Sequence, residues 1–133
     1  MTPRLPRAPI VATAKRRATF LGVDDVRMLN DWCAHLRRMF NGDTPYLVGS
    51  ALARPDYRDV DVRLLMEDDA HASLAAVLNI PRLNVTLSLW GKQATGLPID
   101  CQVQQRTFAN ATYGGPRHPL GFPWDDNPKL ALG

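Results

Sequence analysis

Asp59 and Asp61 stand two residues apart in the run Asp-Val-Asp-Val-Arg-Leu-Leu-Met, residues 59–66, and the pair Gly49-Ser50 lies a short way ahead of them. On an extended chain, residues i and i+2 point to the same side with their Cβ atoms about 6 to 7 Å apart. Carboxylates that close on a half-buried surface repel and push one proton affinity upward, so positive charge is expected between them. Hard divalent cations take oxygen ligands, and Mg2+ commonly sits on one or two carboxylates plus substrate phosphates. A third acid on a neighbouring strand would complete a two-metal site, in which one ion activates an attacking oxygen and the other steadies a leaving pyrophosphate. Asp100 is the candidate for that third acid. Gly49 lets the backbone come close to a ligand, and with Ser50 it offers N–H and hydroxyl donors to phosphate oxygens. Arg54 and Arg58, between the Gly-Ser pair and the acids, are placed to reach the outer phosphates as charge-assisted donors.

These side chains need elements to hold them. Pro-Tyr-Leu-Val-Gly-Ser, residues 45–50, reads as a short buried strand ending at Gly49, and Asp59 to Met66 as a second strand. Alternation puts Asp59, Asp61, Arg63 and Leu65 of that strand on one face and Val60, Val62, Leu64 and Met66 on the other. A third strand is expected after the Thr95-Gly96 turn, where Ile99, Cys101 and Val103 alternate with Asp100, Gln102 and Gln104. Ahead of the strands, a helix is expected from Asp24, which would cap it, with Val23 and Met28 forming a hydrophobic staple. Val26, Leu29, Trp32, Cys33, Leu36, Met39 and Phe40 recur at helical spacing, and Asn41-Gly42 supplies the stop. Glu67, Asp68 and Asp69 open a small-residue helix at the favourable end of its dipole. Residues 81–96 fit two periods. Leu83, Val85, Leu87 and Leu89 alternate as in a strand, whereas Leu83, Leu87, Trp90 and Ala94 form one helical stripe with Pro81 in the first turn.

The run Leu-Val-Gly-Ser-Ala-Leu-Ala-Arg-Pro-Asp-Tyr-Arg-Asp-Val-Asp-Val-Arg-Leu-Leu resembles the signature of the DNA polymerase β-like nucleotidyltransferase superfamily: an apolar residue, Gly-Ser, a spacer, then Asp-apolar-Asp-apolar. Eight residues separate Ser50 from Asp59, and Thr-Gly-Leu-Pro-Ile-Asp-Cys-Gln-Val-Gln is similar to the strand bearing the family's third acid. The resemblance spans about residues 47–104 and implies an α/β (α+β) nucleotidyltransferase fold, one domain with a short mixed β-sheet backed by helices. It further implies Mg2+-dependent transfer of a nucleoside monophosphate from an NTP to an acceptor with release of pyrophosphate. Asp59, Asp61 and Asp100 would hold two Mg2+ ions, Asp100 also helping to deprotonate the acceptor, and Gly49 and Ser50 would hold the triphosphate. A helix commonly precedes the third-acid strand in members, which favours helix over strand for residues 81–94. The chain departs from the pattern at Arg58, where members often carry Ser, and at Arg63, where an apolar residue is usual. Arg63 shares the acidic face, placed to pair with Asp61 or Asp100 and in part to substitute for a metal. That is the ground for a second expectation, a silent nucleotide-binding or antitoxin-like partner-binding module of the same fold.

At 133 residues the chain is expected to form one domain. Its 45% apolar and 22% charged residues are ordinary for a globular protein, and no apolar run approaches the roughly 18 residues that cross a bilayer. No membrane partner and a cytoplasmic location are expected. The net charge of +3 is uneven: residues 1–20 carry Arg4, Arg7, Lys15, Arg16 and Arg17 with no acid, so removing these five leaves −2 for residues 21–133. The expected organisation is a basic leader over 1–20, the nucleotidyltransferase core over 21–108, and a Gly/Pro-rich tail over 109–133 in which regular structure fades. Trp124, in that tail, is expected to fold over the cleft or back on the body. Cys33 and Cys101 read as buried thiols, and His35, His71 and His118 are assigned no chemistry. The acceptor is open among a small molecule, a protein hydroxyl and an RNA end, and a homodimer or a helical partner protein is expected to supply the missing wall of the cleft.

Overall fold

The structure, a computed structural model, describes residues 19–122. The expectations for Trp124 and for all but the last two residues of the basic leader fall outside this range. The described elements run α1 (Val23–Met39), β1 (Pro45–Val48), α2 (Ser50–Ala53), β2 (Val60–Met66), α3 (Asp68–Val77), α4 (Ile80–Thr95), β3 (Ile99–Gln105), α5 (Arg106–Thr112) and β4 (His118–Pro119). The strands form one mixed sheet in the order β3-β2-β1-β4. β1 lies antiparallel to β2 and β4, and β2 lies parallel to β3. The result is a small mixed α/β domain with five helices among the described residues, none long and apolar enough to cross a membrane by itself.

Side-chain alternation divides the sheet into two unlike faces. Leu47, Val60, Val62, Leu64, Ile99, Cys101 and Val103 form the buried face, packed against Leu29, Trp32 and Leu36 of α1 and Leu87 of α4. Tyr46, Val48, Asp61, Arg63, Leu65, Asp100, Gln102 and Gln104 occupy the alternate positions, with Asp61 opposite both Val48 and Asp100. From Val60 to Leu64 and along β3 the change of face coincides with a change from apolar to polar residues, which pins the strand register, whereas Val48, Leu65 and Met66 are buried apolar residues.

α1 starts differently from expectation. Its N-cap is Gly22, Asp24 and Asp25 lie in its first turn, and Val23 (66%) and Met28 (43%) are exposed, so no staple forms. The acids act there through the helix dipole instead of as caps. Met39 is 59% exposed, on the solvent side of the last turn. The stop is as expected: Asn41 (φ 58°) and Gly42 (φ 93°) turn left-handed, and the Gly42 N–H donates to the Arg37 carbonyl at 2.7 Å.

Residues 81–94 are helical, within α4, and Asn79 caps them by accepting from the Arg82 N–H at 3.0 Å. α4 lies along β3, the sheet's edge, and closes it with side chains. Ser88 Oγ accepts from the Cys101 N–H at 2.8 Å and donates to the Cys101 carbonyl at 3.3 Å, while Asn84 Oδ1 accepts from the Val103 N–H at 2.8 Å. A helix at i and i+4 presents both polar residues to one strand edge, which blunts it against further pairing.

α4 also crosses α1 at Gly91. A Cβ there would lie 2.8 Å from Trp32 Cη2 and 3.0 Å from Ile99 Cγ2. Gly91→Ala gains about 1 kcal/mol of helix propensity but loses about 1–3 kcal/mol to overpacking. Both obstacles belong to core side chains only 2% exposed, so the loss is expected to prevail. The expected outcome is a net destabilisation of about 1 kcal/mol, read as a lower urea midpoint; an unchanged or raised midpoint would refute the close approach.

Regular structure continues past residue 108, contrary to expectation. α5 is tied to the start of α3 by Arg106 Nε on Glu67 Oε1 at 2.8 Å and by Thr107, whose N–H and hydroxyl both donate to Asp68. β4 then pairs with β1, Leu120 is fully buried, and the Gly121 N–H donates to Asn30 Oδ1 at 3.1 Å. These are contacts between residues far apart in the chain, so local composition carries no sign of them.

Both thiols are buried, as expected. Burial pushes the Cys33 thiol well above its ordinary range and Cys101 up to about 12. Ellman's reagent at pH 8 is expected to detect no thiol in the folded protein and both after guanidinium unfolding. Rapid native reaction would show that the core opens.

Candidate active site

β2 and β3 bring two of the three predicted acids together. Asp61 and Asp100 are register partners on parallel neighbours, strands that lie about 4.8 Å apart. The Asp61 side chain is 22% exposed and that of Asp100 is 43% exposed. Burial raises the pKa of Asp61 above the usual carboxylate range. Arg63 opposes the rise, and the negative charges of Asp100 and Asp59, with a hydrogen bond to Asp100, add to it. Asp59 itself is exposed in the loop one residue ahead of β2, not within the strand. The strand begins only at Val60, whose N–H donates to the Pro98 carbonyl at 2.9 Å. The charge of Asp59 adds to the rise at Asp61.

The Gly-Ser turn meets the acids directly. Gly49 has φ 79° and ψ −149°, and a Cβ on it would lie 2.5 Å from Asp61 Oδ2. That backbone region is essentially confined to glycine. The glycine therefore serves both to turn the chain and to clear space for the carboxylate. Its N–H donates to the Tyr113 hydroxyl at 3.3 Å, and that hydroxyl donates to the Pro116 carbonyl at 2.8 Å. Ser50 follows, half-buried, as the first residue of α2. Arg54 is turned to the loop acid Asp56, Nε to Oδ1 3.5 Å, instead of to the acidic face, and Arg58 is exposed ahead of Asp59.

Arg63 lies among the acids. Its Nη2 is 3.5 Å from Asp100 Oδ2 and 3.9 Å from Asp61 Oδ1, and its Nη1 donates to the carbonyls of Asp100 (2.8 Å) and Val62 (3.1 Å). Beside it a cavity of about 260 Å³ lies between the sheet and the segment that follows β3, and Gly49, Asp61, Arg63, Tyr46, Tyr113 and Arg117 are among its lining residues. Asp100 borders a different, more open groove along α4, of about 400 Å³. Tyr113 and Arg117 were not singled out from the sequence. The available signal was Tyr-Gly-Gly-Pro: a Cβ on Gly115 would lie 2.7 Å from the Tyr113 hydroxyl, so the turn requires a residue without a side chain for the ring to fold over it.

By chemistry, Asp61 and Asp100 fit a divalent ion: they are adjacent oxygen donors, one of them desolvated and pressed by like charge. Among the described residues no group of three His, Cys, Asp or Glu side chains is gathered tightly enough to hold an ion by itself. Water and phosphate oxygens would have to fill the remaining positions, as is usual for Mg2+. No family model, curated protein or solved structure matches the chain.

Proposed function

We propose that the chain is a Mg2+-dependent nucleotidyltransferase of the nucleotidyltransferase fold, moving a nucleoside monophosphate from an NTP to an acceptor hydroxyl. The observation that supports this most is the contact of the Gly49 turn with Asp61, itself the register partner of Asp100. A bend suited to phosphate oxygens and a carboxylate pair suited to a divalent ion thus share one surface.

Bound Mg2+ would be held by Asp61 and Asp100, with Asp59 exposed one residue ahead of β2, and would supply positive charge to the phosphate undergoing transfer. The chain's own residues do the rest. Gly49 exchanges the Tyr113 hydroxyl for a phosphate oxygen at its N–H. Asp100, the more exposed carboxylate, accepts the proton of the acceptor hydroxyl. The acceptor oxygen forms its bond to the α-phosphorus as the bond from that phosphorus to the bridging oxygen breaks, and pyrophosphate leaves with the electron pair. Arg63 and Arg117 line the cavity next to this surface and offer positive charge to whatever enters it.

A second reading, a silent nucleotide- or partner-binding module, is favoured by one observation: Arg63 already pairs with both carboxylates. The deciding experiment is incubation with α-phosphorus-labelled NTPs and Mg2+, following label and pyrophosphate together. Pyrophosphate release with label on a small molecule, a protein or an RNA end supports the transferase. Nucleotide binding without release supports the silent nucleotide-binding module, and no nucleotide binding at all refutes the transferase and leaves only the partner-binding form.

A further inference from the structure

We propose that Arg63 is the second positive charge of this site, its guanidinium taking the place of one of the two divalent ions, so that the acidic face carries a single ion. The role assigned to Arg63 serves the proposed transfer reaction, but ion binding can be measured without turnover.

Arg63 is fixed where it stands. Its side chain is 18% exposed, and its head is held by the carbonyls of Asp100 and Val62 as well as by the two carboxylates. The backbone contacts hold the guanidinium whatever the protonation state of the acids, and arginine does not lose its own charge in proteins. Nη2 lies 3.5 Å from an oxygen of one carboxylate and 3.9 Å from an oxygen of the other, so the guanidinium already meets both groups that would have to hold the ions. Arg63 already offsets one of the two negative charges that Asp61 and Asp100 bring, which leaves charge for one further cation and none for a second. A second ion would be repelled by a guanidinium that has no route to neutrality.

Mn2+ is the probe, titrated against wild type, Arg63→Gln and Arg63→Lys, with the free ion followed by electron paramagnetic resonance. Wild type is expected to take one Mn2+ per chain. Arg63→Gln is expected to bind its first ion about tenfold or more tightly, from removal of a unit charge at about 4 Å, and to take a second. Arg63→Lys, which keeps the charge, is expected to return to wild-type number and affinity, which a merely structural role would not require. Circular dichroism establishes that each variant is folded. The proposal is overturned if wild type takes two ions, if Arg63→Gln matches wild type in number and affinity, or if neither protein binds Mn2+. Absence of label transfer alongside the expected Mn2+ behaviour would remove the transferase reading and leave the role of Arg63 standing.

Discussion

Asp61→Asn is expected to lower nucleotidyl transfer by about 10²- to 10³-fold, the scale on which loss of a preorganised electrostatic group acts, while leaving the fold at least as stable as the parent. The two effects have one origin. Burial is the largest influence on Asp61 and raises its pKa, with Asp100 and Asp59 adding to the rise and Arg63 opposing it. A carboxyl whose folded pKa lies above its unfolded value binds its proton more tightly in the folded state. Its ionised form therefore opposes folding at neutral pH, and the opposition is relieved as pH falls through the raised folded value toward 3.8. Asparagine resembles the protonated side chain and carries no such opposition. Arg63 keeps its contacts with Asp100 and the carbonyl of Val62, so it is not left alone. Urea unfolding at pH 7 and at pH 4.5 provides the check: wild type should gain stability relative to Asp61→Asn on acidification. Transfer at the wild-type rate by the variant would refute the catalytic role, and a markedly lower urea midpoint at pH 7 would refute the electrostatic one.

Gly49→Ala is expected to cost about 3 kcal/mol of stability, from about 1–3 kcal/mol for a non-glycine residue in that backbone region and the displacement of a partly buried carboxylate. The new methyl would stand 2.5 Å from Asp61 Oδ2 and drive it from the position it shares with Asp100 and Arg63. Gly96→Ala is the milder comparison, a left-handed position (φ 72°, ψ 6°) that other residues also adopt. Its φ of 72° is also positive, yet nothing lies within 4 Å of its Cβ, so about 1 kcal/mol is expected there. If Gly49→Ala costs the same with Asp61→Ala already in place, contact between the turn and Asp61 contributes nothing. The larger loss at Gly49, with transfer reduced beyond what unfolding explains, is the expected result.

Local pattern was a reliable guide wherever one face of an element meets the core. β2 and β3 were legible because Val60, Val62 and Leu64, and Ile99, Cys101 and Val103, alternate with polar residues, and all six are buried at 3% exposure or less. α1 was legible from its apolar stripe and its Asn-Gly stop, though its cap was misassigned because Asp24 suits a first turn as well as a cap. In residues 81–94, strand alternation and a helical stripe coexist. Asn84 and Ser88 settle the matter only because β3 lies alongside and needs acceptors and donors for its free edge.

The sequence by itself determined that Asp61 and Asp100 would lie on extended segments facing away from the core, with a glycine turn nearby, because period-two burial leaves them no other side. Tertiary structure alone decided which side chains meet. It made Asp61 and Asp100 register partners, set Arg63 against both, turned Arg54 to Asp56 and brought Tyr113 onto the Gly49 amide from 64 positions away in the chain. The physical reason is that periodicity encodes the direction in which a side chain points, whereas a neighbour is set by strand order and crossover, which depend on how whole elements pack.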